Sequence, residues 1–169
     1  MIIQFELTQE IAYPIDKAFR FLADFSNMPK WNYYIQQVTQ LTPGPFSPGT
    51  EFEQKRPHDT HTYKITHYLP PHQVTVEMLP PGPHFIMQFN LRECADATRV
   101  TYTWKVDLDN YKLLKYIPSG KFKNWLLSFA KKHILRVTKP AVEQNFYKLK
   151  VLLEQGTVVL QDGRESKLN

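Results

Sequence analysis

The stretch Ile11-Ala12-Tyr13-Pro14-Ile15-Asp16-Lys17-Ala18-Phe19-Arg20-Phe21-Leu22-Ala23-Asp24 holds the end of a strand, a stop and the start of a helix. Tyr13-Pro14 halts the extended segment. Proline suits the first helical turn, where its missing N–H would have no intrahelical partner anyway. Beyond it, Ile15, Ala18, Phe19 and Leu22 fall on one helical face. Asp16 near the start and Arg20 near the end complement the helix dipole. Upstream, Ile3, Phe5, Leu7 and Ile11 take odd positions with Gln4, Glu6 and Thr8 between them, the pattern of a half-buried strand. Downstream, Ser26 to Trp31 reads as a second short helix limited by Pro29.

From Tyr33 to Asp109 the pattern is strand and turn. The turns are Thr42-Pro43-Gly44-Pro45, Pro48-Gly49, Pro70-Pro71 and Pro80-Pro81-Gly82-Pro83, and much of the chain's proline sits in them. Between turns the parity is regular: Val74, Val76 and Met78 face one way, Thr75 and Glu77 the other. After Asp109 the period changes. Lys112 to Tyr116 suits a short helical turn, and Pro118-Ser119-Gly120 interrupts it. Lys121 to about Glu154 reads as one long helix with a kink near Pro140, ended by Gly156. The layout is α+β: a strand, two short helices, about six more strands and a long helix to cover the sheet's apolar face. Residues 1–155 form the predicted domain. Residues 156–169 are an extension, with one short strand at Thr157–Leu160 and a loose tail after it.

The charge is divided along the chain. The formal net is +5 over 169 residues. Residues 1–109 hold 9 Lys and Arg against 12 Asp and Glu, whereas residues 110–155 hold 10 against 2. The basic character therefore belongs to the C-terminal helical segment. The first part carries no zinc-finger spacing, basic leucine-zipper region or RNA-binding sheet motif, so no nucleic-acid partner is expected. Tyr116, Phe122, Trp125, Leu126, Leu127 and Phe129 lie among Lys112, Lys115, Lys121, Lys123, Lys131 and Lys132. That mixture suits either an interfacial helix touching an anionic membrane or an amphipathic helix whose aromatics close a core. No early stretch reads as a signal peptide and no apolar run approaches the ~20 residues of a bilayer span. A cytoplasmic location, at most peripheral to a membrane, is expected.

The inward parity collects many aromatics: Phe52, Tyr63, Phe85, Phe89, Tyr102 and Trp104 from the strands, with Trp125 and Phe129 from the helix. Ile65, Met78 and Met87 complete the apolar set. These residues either pack as plain core or line a cavity for an apolar guest. Gln54, Arg56 and His67 share the inward parity and would orient a ligand's polar group, unless parity slips near Pro57 and Pro70 and they reach water.

Catalytic signatures are few. His58-Asp59-Thr60-His61 flanks a turn and lacks the further ligand a metal site needs. Cys94, the sole cysteine, sits between acidic neighbours that disfavour a thiolate, and alone it makes no internal disulfide. There is no phosphate-binding glycine loop, nucleophile elbow or paired-carboxylate signature. No metal or cofactor is expected, and no catalytic residue can be assigned.

The segment resembles the START and pollen-allergen helix-grip superfamily (SRPBCC), polyketide cyclase/dehydrase-like branch. Pro14, Phe19, Leu22, Asp24, Trp31, Gly49 and Thr50 stand where that superfamily has its scaffold residues. The resemblance runs from about Ile2 to Leu153. It implies a curved seven-stranded antiparallel sheet wrapped around the C-terminal helix, with two short helices after the first strand. It also implies a hydrophobic cavity that takes a lipid, polyketide-like or other apolar molecule. A cyclase or dehydratase acting in that cavity, or a peripheral membrane or scaffold role, are the alternatives. The oligomeric state is left open.

Overall fold

The computed structural model describes residues 1–108, 116–118 and 120–168. Strand β1 (Ile2–Ile11) leads through Pro14 into helix α1 (Ile15–Ala23), then into a 3-10 helix (Phe25–Lys30). Asp24 joins the two helices. Its carboxylate accepts the Ser26 backbone N–H at 3.1 Å and the Ser26 hydroxyl at 2.5 Å, which caps the second helix. Six more strands follow: β2 (Gln37–Gln40), β3 (Glu51–Lys55), β4 (Thr60–Leu69), β5 (Gln73–Met78), β6 (His84–Cys94) and β7 (Ala97–Asp107).

All seven strands form one antiparallel sheet in the order β1-β7-β6-β5-β4-β3-β2. β1 returns beside β7 with Ile2 opposite Asp107 and Ile11 opposite Thr98. One sheet face is polar, carrying the cross-strand pairs Thr8–Thr101 and Glu10–Arg99. The other is apolar and faces the helices, as the alternation requires. This is the helix-grip fold.

The long helix begins as α2 (Lys121–His133), passes through a π-helical turn (Ile134–Thr138) and continues as α3 (Lys139–Gln155). The wide turn has a local cause. Pro140 offers no N–H to the Arg136 carbonyl, and its ring would crowd that carbonyl. The ladder loosens before it, and the Lys139 N–H bonds to the Ile134 carbonyl. Gly156 ends α3 in the left-handed region at φ 76°, where its N–H reaches the Leu152 carbonyl. The short helical turn expected from Lys112 lies outside the described residues, apart from Tyr116.

Beneath α3 the core is continuous. Phe146, Leu149, Leu152 and Leu153 are buried against Ile11, Phe89, Leu91 and Val100 from the sheet and Phe19 from α1. Polar ties hold α3 to β1: the Gln9 amide donates to the Phe146 carbonyl at 2.7 Å, and Lys150 donates to the Glu10 carbonyl. Where a loose tail was expected, β8 (Thr157–Val159) pairs with β9 (Glu165–Lys167) in a hairpin. Its apolar residues explain the order: Val158 and Leu160 are buried in the main core.

Candidate functional site

The sheet and the long helix do not close on each other along their whole length. Near the π turn they leave a cavity of about 670 Å³, within the range of small-molecule sites. Strands β5, β6 and β7 supply its apolar wall through Met78, Phe85, Met87, Trp104 and Val106. The helix supplies Ile134, Val137, Ala141 and Val142 opposite them. Met28 of the 3-10 helix and the following loop, Asn32 to Ile35, form a side. At the rim, Tyr34, Asp59, His133 and Val137 combine cavity lining with surface exposure.

Two phenols stand in the wall. Tyr63 on β4 and Tyr102 on β7 are only 3% and 5% exposed. Neither hydroxyl has a hydrogen-bond partner among the described residues. No unpartnered side-chain oxygen there is wholly shut off, so both hydroxyls open onto the cavity. Burial raises both ionisations well above the ordinary tyrosine range. Each phenol is therefore a neutral donor and acceptor at physiological pH.

The other polar groups are mutually engaged. The Arg56 guanidinium makes two hydrogen bonds to the Asp59 carboxylate, at 2.5 and 2.7 Å, and lies 6.0 Å from the centre of the Tyr34 ring. His61 Nε2 sits 3.2 Å from Asp59 Oδ2, the oxygen that also accepts from Arg56 Nη2. Partial burial pushes the Asp59 ionisation up, but the hydrogen bond and charge of Arg56, aided by His61, hold it below the usual carboxylate range. Deeper in, the Asn145 amide donates to Asn32 Oδ1 at 2.9 Å and its own oxygen accepts from Gln161 at 3.2 Å. Gln54 is buried with its amide on the Met28 sulfur at 2.8 Å.

Of the residues singled out from the sequence, Gln54, Arg56, Tyr63, Met78, Phe85, Met87, Tyr102 and Trp104 line the cavity together. Phe52, Ile65 and Phe89 share their sheet face but are filled over as core. Phe52 stacks on Phe25 at 4.8 Å, and Phe89 meets Trp31 edge-on at 6.3 Å. His67 is exposed. A register shift between Ile65 and His67 reverses the parity, turning Tyr68 inward against Phe19 instead. Trp125 and Phe129 also lie outside the cavity. They are 61% and 60% exposed, because α2 turns Leu127 inward and presents its aromatics to solvent.

Asp59, His61, Asn32, Tyr34 and Asn145 were not foreseen as cavity residues. The pairing of Gln54 with His61 across β3 and β4 brings the first two to the rim; in the sequence both stood out only within His58-Asp59-Thr60-His61, weighed as a metal motif. Among the described residues no cluster of three or more His, Cys, Asp or Glu could hold a metal ion. No helix there is long and apolar enough to cross a membrane.

Residues 3–154 match the family described as polyketide cyclase / dehydrase and lipid transport. The chain belongs to that family. Its fold is a hydrophobic ligand-binding fold. Among solved structures it is similar to the di-domain ARO/CYC StfQ from the steffimycin biosynthetic pathway. That similarity has a TM-score of 0.67 at 15% identity, covering 92% of this chain and 51% of that one. The chain thus spans about half the length of StfQ. It is also similar to the Aha1 dimer from Colwellia psychrerythraea, with a TM-score of 0.57, 16% identity, and coverage of 90% of this chain and 96% of that one. No curated protein sequence matches. At these identities the two structures speak for the fold alone.

Proposed function

We propose that this family member binds a hydrophobic small molecule whose body fills the cavity and whose oxygen-bearing group meets the Tyr63 and Tyr102 hydroxyls. The observation that carries this reading is a pair of phenols, without a hydrogen-bond partner among the described residues, in a largely apolar wall. Both hydroxyls open onto the cavity, where a ligand carbonyl or hydroxyl can bond to them; such a bond contributes about 0.5–1.5 kcal/mol net. The charges favour an uncharged guest. Among the described residues the one arginine of the wall, Arg56, is already paired with Asp59, and the phenols stay neutral, so a buried carboxylate gains little there. Polycyclic ketones, quinones and neutral isoprenoid or glyceride lipids fit these terms.

The test is native mass spectrometry of the purified protein, followed by extraction and identification of what it carries. A bound neutral, oxygenated hydrophobe is the expected result. A protein that arrives empty and takes up neither polycyclic ketones nor neutral lipids overturns the reading.

A second reading rests on the contact between His61 and Asp59. A histidine oriented by a carboxylate is a workable proton carrier, and a cyclase or dehydratase acting on a polyketide-like substrate would need one at the rim. Turnover of a poly-β-ketone substrate that is lost in His61→Gln, with binding retained, would support it. Binding without turnover leaves the carrier reading alone.

A further inference from the structure

Among the described residues, helix α2 buries one apolar side chain and leaves others facing outward. Leu127 points inward and is buried. On the outer side Phe122, Trp125 and Phe129 form a ladder of rings stacked at 6.1 Å steps. They are 65%, 61% and 60% exposed. Isolated surface aromatics need no explanation, but a contiguous stripe of three marks an interaction surface. The charge beside it is of one sign: residues 121–139 contain six Lys or Arg and no Asp or Glu. At 100° per residue Lys121 and Lys132 fall within about 80° of the stripe. Phe129, Lys132 and Arg136 share a surface depression with His133 and Val137, and those last two also line the cavity. The stripe is therefore continuous with the rim.

We infer that the outer face of α2 docks on an anionic lipid bilayer, with the Phe122–Trp125–Phe129 rings at the headgroup level and the cavity rim turned toward the membrane. Aromatic rings with flanking lysines are the side chains that favour that interface. A protein partner would need its own acidic, apolar counterface, whereas an anionic leaflet offers both properties at once. The contact is peripheral, since no helix among the described residues can span. This goes beyond ligand binding and does not depend on it: the surface docks whether or not the cavity is filled.

The experiment is co-sedimentation of the full chain with vesicles of phosphatidylcholine alone and of phosphatidylcholine with phosphatidylserine. Binding to the anionic vesicles, weakened by salt, is expected. Lys132→Gln with Arg136→Gln should lower it roughly thirtyfold, and Trp125→Ala with Phe129→Ala about tenfold or more. Lipids brominated in the acyl chain should quench Trp125 fluorescence, measured in a variant with Trp31→Phe and Trp104→Phe so that Trp125 is the one tryptophan left. Thermal melts and uptake of a polycyclic ketone by each variant separate docking from folding and from the cavity. Equal and negligible sedimentation with both vesicle types overturns the proposal. So does binding that both variants leave unchanged, or a dimer in gel filtration that the aromatic variant dissolves while vesicles bind nothing.

Discussion

Asn145 on α3 donates from its side-chain amide to Asn32 Oδ1 at 2.9 Å, pinning the long helix to the loop beside the cavity. The same loop oxygen also accepts the Tyr34 N–H at 3.1 Å, and Gln161 of the C-terminal extension supports Asn145 from behind. Asn145→Leu keeps the volume but leaves the Gln161 amide without its partner. A loss of about 1–2 kcal/mol is expected in urea denaturation. Hydrogen exchange should quicken first at Tyr34 and Ile35, before the sheet is affected.

The C-terminal hairpin should prove structural. Truncation after Gln155 removes Val158 and Leu160 from the core. It also removes Arg164, whose guanidinium donates to the Tyr33 carbonyl at 2.8 Å. Each buried aliphatic chain is worth roughly 1.5–3 kcal/mol. Thermal denaturation of the truncated chain should show a clearly lower midpoint. An unchanged midpoint would mean the hairpin is not packed as described.

The two cavity phenols predict an alkaline weakness. A tyrosine in the unfolded chain ionises near 10.0, while burial holds Tyr63 and Tyr102 higher. Below that ordinary value the contribution to stability is complete. Above it the unfolded state loses protons first, so stability falls with rising pH until the folded phenols ionise too. The slope is about 1.4 kcal/mol per pH unit for each group. Urea midpoints measured across the alkaline range should show this, and Tyr63→Phe or Tyr102→Phe should each flatten it.

Gly82 lies against the cavity wall. A Cβ there would sit 2.4 Å from the Met78 sulfur and 3.4 Å from His61 Nδ1. Gly82→Ala should therefore push the flexible Met78 side chain aside, at about 1–3 kcal/mol, and narrow the cavity. Adding Met78→Ala should cost less than the sum of the two single changes, a coupling that a double-mutant cycle reads directly.

Phe52 and Phe129 were both read from the sequence as cavity-lining, Phe129 with an interfacial helix as the alternative, and their substitutions should differ sharply. Phe52→Ala opens a hole beneath Phe25 and Tyr63 and should cost about 3–5 kcal/mol. Phe129→Ala removes an exposed ring and should stay within about 0.5 kcal/mol of the parent. Chemical denaturation of both checks the assignment.

That contrast explains how much of the fold and site was legible. Strand parity is a local property, so the wall residues Tyr63, Met78, Phe85, Met87, Tyr102 and Trp104 could be grouped from spacing alone. The end of the long helix at Gly156 was equally local. Helical spacing says which residues share a face but not which face meets the sheet, so Trp125 and Phe129 could be placed either in the cavity or on an outer face, and the structure exposes them. A single extra residue near Thr66 was enough to carry His67 out to solvent. The Arg56–Asp59–His61 cluster depends on a turn closing and on two strands pairing, neither of which spacing encodes. The hairpin at 157–167 was hidden because its apolar residues are few and make sense only against a core already built.

The π turn at Ile134–Thr138 has one more consequence. Widening a helix by one residue rotates everything beyond it by about 100° relative to an unbroken helix. The hydrophobic pattern of α3, which is constrained by the sheet, therefore does not dictate the pattern of α2. The turn thereby sets which side α2 presents, Leu127 inward and the Phe122–Trp125–Phe129 rings outward, while Phe146, Leu149 and Leu152 of α3 stay on the core. One rod thus serves as an anchor and a presenting arm, with the cavity at the joint.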